Sequence, residues 1–126
     1  MLELRHIKKS YDNVTILEDM NLKIQDGEIV SILGPSGCGK STLLNLVLGL
    51  TPADQGQILF DGKDITDMNV TDRANAGISF AFQQPVRFKG VQVLDLIRLA
   101  AKKQLSIADA CAYLSEVGLC AKDYIN

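Results

Sequence analysis

Apolar residues in the first part of the chain fall in short runs divided by polar turns. Leu2 to Ile7, Val14 to Leu17 and Met20 to Ile24 are of strand length and predict three antiparallel strands. Asp26-Gly27 marks a tight turn. Glu28-Ile29-Val30-Ser31-Ile32-Leu33 follows, apolar and β-branched, and predicts a buried strand. The period then changes: Thr42 to Leu48 predicts a helix closed by Gly49. Leucine or valine at 43, 44, 46, 47 and 48 covers more than one face, so this helix needs neighbours on two sides. The stretch from Gly56 to Ile65 predicts a strand, an Asp61-Gly62 turn and a short return strand. Gly77 to Phe82 predicts a second buried strand, running into Gln83-Gln84 and stopped by Pro85. Val91 to Lys103 has apolar residues at 93, 94, 96, 97, 99, 100 and 101, a helical spacing. Another helix is expected from Ser106, with Asp109 completing an S-x-x-D capping box, to about Val117, with Gly118 as its stop.

The chemistry lies where the pattern switches from strand to helix. Gly34-Pro35-Ser36-Gly37-Cys38-Gly39-Lys40-Ser41 fits G-x-x-x-x-G-K-[ST], a loop whose backbone N–H groups cradle phosphates. A strand turning through glycines into a helix aims those N–H groups and the positive helix end at one point, which suits a triphosphate. Gly34, Gly37 and Gly39 permit backbone angles and close approach that a Cβ forbids. Lys40 supplies a cation for the β- and γ-phosphates, Ser41 a hydroxyl for Mg²⁺, and Thr42 stands within reach of the α-phosphate. Thirty-three residues precede the loop, which argues against small nucleotide kinases, since those begin with the phosphate-loop strand itself. Tyr11, between Lys8-Lys9-Ser10 and Asp12-Asn13, is an aromatic beside a turn. Stacking on adenine and plain packing are both open to it.

Tyr11, the GPSGCGKST loop, the G-Q-I-L-F-D-G-K hairpin and the F-A-F-Q strand end, in this order, resemble the first half of an ATP-binding-cassette (ABC) ATPase. The resemblance runs from about residue 2 to the C-terminus. It implies an α/β, RecA-like P-loop NTPase lobe with an antiparallel β subdomain and the start of a helical subdomain, truncated before the family's Asp-Glu strand. Residues 1–82 would form the ATP-binding lobe, 83–90 the Q-loop and 91–126 the start of the helical part. By the resemblance Tyr11 stacks on adenine, and Gln83 contacts Mg²⁺ and the attacking water. Gln84 is its rival; Gln83 is preferred because it directly follows the apolar strand. ATP and Mg²⁺ are the implied cofactors, with Lys40 and Gln83 catalytic. The family's LSGGQ-type signature, Asp-Glu strand and switch histidine do not occur here; His6, the one histidine, belongs to the first strand. A P-loop ATPase needs a second carboxylate for Mg²⁺ and a group to position water, so these residues alone are expected to hydrolyse ATP near the background rate.

The chain has 126 residues, 13 basic and 15 acidic, for a net charge of −2 and no basic stripe, so nucleic acid is not the expected partner. Lys8-Lys9 and Lys102-Lys103 read as solvated edges. Hydrophobic residues make up 47% and the mean hydropathy is +0.11, values that suit apolar surface meeting further strands or a partner. No run reaches the roughly 18 apolar residues of a membrane span, and no signal peptide is evident. Three scattered cysteines, Cys38, Cys111 and Cys120, point to a reducing compartment, with core packing expected for the last two. Expected partners are a second ATPase subunit, identical or not, and a separate membrane-spanning transporter subunit. The location is then cytoplasmic, at the inner face of the membrane. The stretch Gln84-Pro85-Val86-Arg87-Phe88-Lys89-Gly90-Val91, with Ala81-Phe82-Gln83 before it and Asp72-Arg73-Ala74 upstream, also resembles the soluble ATPase of Suf-type iron–sulfur assembly, whose partners are scaffold proteins. A third expectation is a non-catalytic half that acts only with its C-terminal complement.

Overall fold

The computed structural model describes residues 1–84 and 86–119; Pro85 and Cys120 lie outside the described residues. The chain divides into two compact units, Met1–Ala81 and Phe82–Asn126. In the first, β1 (Leu2–Tyr11), β2 (Val14–Ile24), β3 (Gln55–Phe60) and β4 (Lys63–Asp64) form an antiparallel sheet in the order β2-β1-β3-β4. The same unit carries helices α1 (Lys40–Leu48) and α2 (Val70–Ala76). The segments 14–17 and 20–24, expected as two strands, are one continuous β2. A two-residue turn joins β1 to β2. Asp12 and Asn13 take φ of 47° and 65°, the left-handed pair that matches strand twist in a tight hairpin. Further along, β1 slips register between Arg5 and Lys8 against β3. There a Cβ on Gly56 would stand 2.5 Å from the His6 carbonyl oxygen, so only glycine lets the two backbones meet.

One face of the sheet is covered by α1. Leu43 and Leu46 pack with Leu4, Ile7, Leu17, Ile58 and Ile65, each buried side chain contributing about 1.5–3 kcal/mol. Leu44 stays exposed, as expected of a helix apolar on more than one side. Gly49 ends α1 in the left-handed region with φ 80°. A Cβ at Gly49 would also meet Arg73 Nε at 3.0 Å. Arg73, on α2 and only 3% exposed, donates to the carbonyls of Leu46 (2.6 Å), Val47 (3.0 Å), Thr66 (2.8 Å) and Met68 (2.9 Å). It thereby bonds the last carbonyls of α1, of which that of Leu46 also accepts the Gly49 N–H at 3.2 Å. Desolvation holds its pKa below the ordinary arginine value, opposed by Asp67. The polar helix α2 was not foreseen; Asn69 caps it by accepting from the Asp72 N–H at 2.8 Å.

Two expected strands differ from the pattern. Residues 28–33 and 77–82 belong to no ladder. Ile29 is 95% and Leu33 91% exposed, and Phe80 and Phe82 are exposed as well. Apolar, β-branched runs of this kind suit parallel strands covered on both faces. Among the described residues no strand forms a ladder with them, so the composition is that of a strand and the structure is not.

In the second unit, α3 (Val93–Ala101) and α4 (Ile107–Glu116) are the two expected helices, each slightly shorter than predicted. Leu94, Leu105, Ala110 and Leu114 are buried, and Cys111 half-buried. The capping box forms: Ser106 Oγ accepts from the Asp109 N–H at 3.1 Å. Gly118, with φ 76°, lets the chain turn so that the Leu119 N–H reaches the Leu114 carbonyl at 2.8 Å. Among the described residues no helix is long and apolar enough to cross a membrane.

Candidate functional site

The chain enters α1 through Gly37 and Gly39, whose φ of 83° and 97° are left-handed. Gly39 is also pinned by space, since a Cβ would lie 3.0 Å from Ile16 Cγ2 and 3.1 Å from Leu17 Cδ2 of β2. Gly34 is constrained differently: its φ is ordinary, but a Cβ would meet Cys38 Sγ at 2.6 Å. Helix α1 has no side-chain cap and no acidic residue in its first turn. The N–H groups of that turn have no intrahelical partners by geometry, and their dipoles favour an anion. Lys40 turns its ammonium back onto the loop, donating to the carbonyls of Gly34 and, at 3.2 Å, Pro35. Cys38 is exposed.

A cavity of about 400 Å³ opens at this helix end, lined by Tyr11, Ile16, Ser36, Gly37, Gly39, Lys40, Ser41 and Thr42. Six of the residues expected to bind phosphate or metal thus share one cavity with the expected base-stacking aromatic, which comes from the end of β1. Gly34, Pro35 and Cys38 shape the loop without lining the cavity. Gln83 and Gln84 are exposed and belong to the second unit; the cavity's lining residues do not include them. Ile16 was not foreseen. Its place follows from β2 passing under Gly39.

Tyr11 is 42% exposed, and its surroundings correct one expectation. Lys9, expected on a solvated edge, is 8% exposed. Its Nζ lies 5.0 Å from the centroid of the Tyr11 ring, over the ring, and 3.2 Å from Asp54 Oδ1. Asp54 also accepts the Ser10 N–H at 2.7 Å and donates its own N–H to the Lys8 carbonyl at 2.9 Å. The Ser10 N–H, then Lys9, hold the Asp54 carboxyl below the usual aspartate range. Period-2 alternation puts residues 9 and 11 on one strand face, a signal that could have flagged Lys9. His6 is on the surface, its Nδ1 2.6 Å from Asp19 Oδ1, and away from the residues of the cavity.

Among the described residues no group of three or more His, Cys, Asp or Glu side chains could hold a metal. Ser36, Ser41 and Thr42 all bring hydroxyls to the cavity wall, with Ser41 in the first turn of α1. That set fits Mg²⁺ held mostly by phosphate oxygens and water.

Residues 17–124 match the family model described as ABC transporter. Over 94 residues the chain is 43% identical to the sulfate/thiosulfate import ATP-binding protein CysA of Pseudomonas aeruginosa, covering 75% of this chain and 28% of that protein. Over 104 residues it is 43% identical to the spermidine/putrescine import ATP-binding protein PotA of Haemophilus influenzae, covering 82% of this chain and 27% of that one. Among solved structures it superposes on a nucleotide-free ATP-binding cassette from an ABC transporter with a TM-score of 0.71 and 30% identity, over 90% of this chain and 45% of that chain. A dimeric cassette in a post-hydrolysis state, bound to ADP and phosphate, gives 0.73 and 28%, over 92% and 57%. The chain therefore spans under a third of the length of these curated relatives.

Proposed function

This chain belongs to the ABC transporter family, and from that premise we propose that it supplies the nucleotide-holding part of an ATP-driven transporter's cytoplasmic subunit. One observation carries the proposal. A single cavity joins an aromatic ring, a lysine and the uncapped start of a helix, the features that a base and a polyphosphate require together. Tyr11 stacks on the adenine. The loop from Gly34 to Gly39 wraps the phosphates, and the first-turn N–H groups of α1 point at them. Lys40 exchanges its loop carbonyls for the β- and γ-phosphate oxygens, which are stronger acceptors for an ammonium. Thr42 reaches the α-phosphate.

Mg²⁺ would be held by Ser41, with Gln83 as a further contact, and would neutralise charge on the β- and γ-oxygens. Gln83 orients the attacking water. A second ATPase subunit completes the site, and a separate membrane-spanning subunit is moved by its closure. The relatives above are both import ATP-binding proteins, which favours transport over iron–sulfur assembly. The subunit sits peripherally at the inner membrane face.

Lys40 provides the test. In the intact protein, Lys40→Ala should abolish ATP turnover and weaken MgATP binding at least about a hundredfold, because a charge-assisted contact contributes on the order of 3 kcal/mol. Calorimetric titration and phosphate release read the two effects. Near-normal turnover would overturn the assignment.

A further inference from the structure

We propose that Lys9 is a positioning residue for base recognition: anchored by Asp54, its ammonium holds one face of the Tyr11 ring so that the opposite face receives the adenine. This rests on the assignment of Tyr11 as the stacking aromatic and goes past it to what makes that ring a platform.

The starting point is the cost of burying Lys9. An ammonium on a side chain left only 9% exposed is unfavourable unless it gains partners. Lys9 has two of different kinds. Asp54, 45 residues away in sequence, takes the charge at 3.2 Å, and the Tyr11 ring lies with its centroid at 5.0 Å, inside the roughly 6 Å over which a cation is attracted to an aromatic face. Asp54 also accepts the Ser10 N–H and donates to the Lys8 carbonyl. One aspartate therefore holds the backbone on the N-terminal side of Tyr11, while the Asp12-Asn13 turn fixes the other side. The ring has little freedom left.

A flat aromatic ligand needs such a ring. Tyrosine free to rotate about χ1 and χ2 would lose that freedom on binding, and the loss subtracts from the stacking energy. A cation against one face removes it beforehand and leaves only the other face for the base. The expected result is specific: Lys9 contributes to affinity for nucleotides that carry a base and nothing to affinity for the bare polyphosphate chain.

The experiment uses the intact protein with Lys9→Met, which keeps the aliphatic stem and removes the charge, alone and combined with Tyr11→Ala. The probes are MgATP and magnesium tripolyphosphate, by calorimetric titration. Lys9→Met should weaken MgATP about three- to tenfold, leave tripolyphosphate within about 1.5-fold, and have no further effect on MgATP in the Tyr11→Ala background. Lys9→Arg, which retains a cation, should stay near the parent. Equal losses for both ligands would overturn the proposal, since they mean a general structural role. So would a Lys9→Met loss that persists undiminished without the tyrosine, or no loss at all. If Tyr11→Ala itself leaves MgATP binding unchanged, the stacking assignment has failed, and that result differs from a failure of Lys9 alone. Should Lys9→Met be unfolded by circular dichroism, Asp54→Asn keeps the acceptor for Ser10 and frees the lysine. It should give the same base-dependent loss, and a base-independent one would refute the idea.

Discussion

A methyl group at position 39 would meet Ile16 Cγ2 at 3.0 Å and Leu17 Cδ2 at 3.1 Å, on a backbone with φ of 97°. Both the angle and the neighbours oppose it. Gly39→Ala should therefore lower stability by about 1–3 kcal/mol, the usual cost of a non-glycine side chain held in such a region. Urea unfolding followed by circular dichroism measures it; a change under 0.5 kcal/mol would mean that α1 can shift off β2 freely. At this scale the sequence was informative wherever the chemistry is local. The glycines, Lys40, Ser41 and Thr42 are consecutive, so their convergence could be read from order alone. Lys9 could not. Its partner Asp54 comes from the approach to β3, and a lysine pair without that partner looks like solvated surface.

Helix α1 is held at both ends by different means. Its start meets β2 through Gly39, and its last carbonyls meet the fork of Arg73. Removing that fork strands buried acceptors, each costing about 1–3 kcal/mol, so Arg73→Met should destabilise by about 3 kcal/mol or more. Arg73→Lys should recover little, because an ammonium has three donors and no planar fork to span four carbonyls. Denaturant unfolding gives the total, and hydrogen exchange at the end of α1 should show faster opening there than in β1. Equal stability of the lysine variant would show that charge alone suffices. Among the elements, the hairpin of β3 and β4, α1, α3 and α4 were legible because period, turn and cap agree. Helix α2 was not, since VTDRANA has no apolar stripe and is held by its Asn69 cap and Arg73. The segments 28–33 and 77–82 carry strand composition, but a strand exists only when a ladder partner does, and period says nothing of partners.

For the molecule as a whole, Ile29, Leu33, Phe80 and Phe82 leave apolar surface open to solvent. Such surface drives association. The 126-residue chain on its own should self-associate at micromolar concentration, bind nucleotide weakly and release phosphate at the background rate. Light scattering, calorimetric titration with MgATP and a phosphate assay check the three in turn, and a monodisperse, active monomer would contradict the exposure described for these residues. Family membership was legible from the order of Tyr11, the phosphate loop, the hairpin and the Phe-Gln strand end, whereas the open segments were not. The sheet order has a consequence in time. The β1–β2 hairpin closes through two residues and forms in microseconds, but β3 reaches β1 only after some thirty residues carrying the phosphate loop and α1 have been placed. Asp54 arrives with β3. Ile58, which packs under α1, arrives with it too, so the seat of the phosphate cradle and the anchor of the base platform are both set by the same late, long-range pairing.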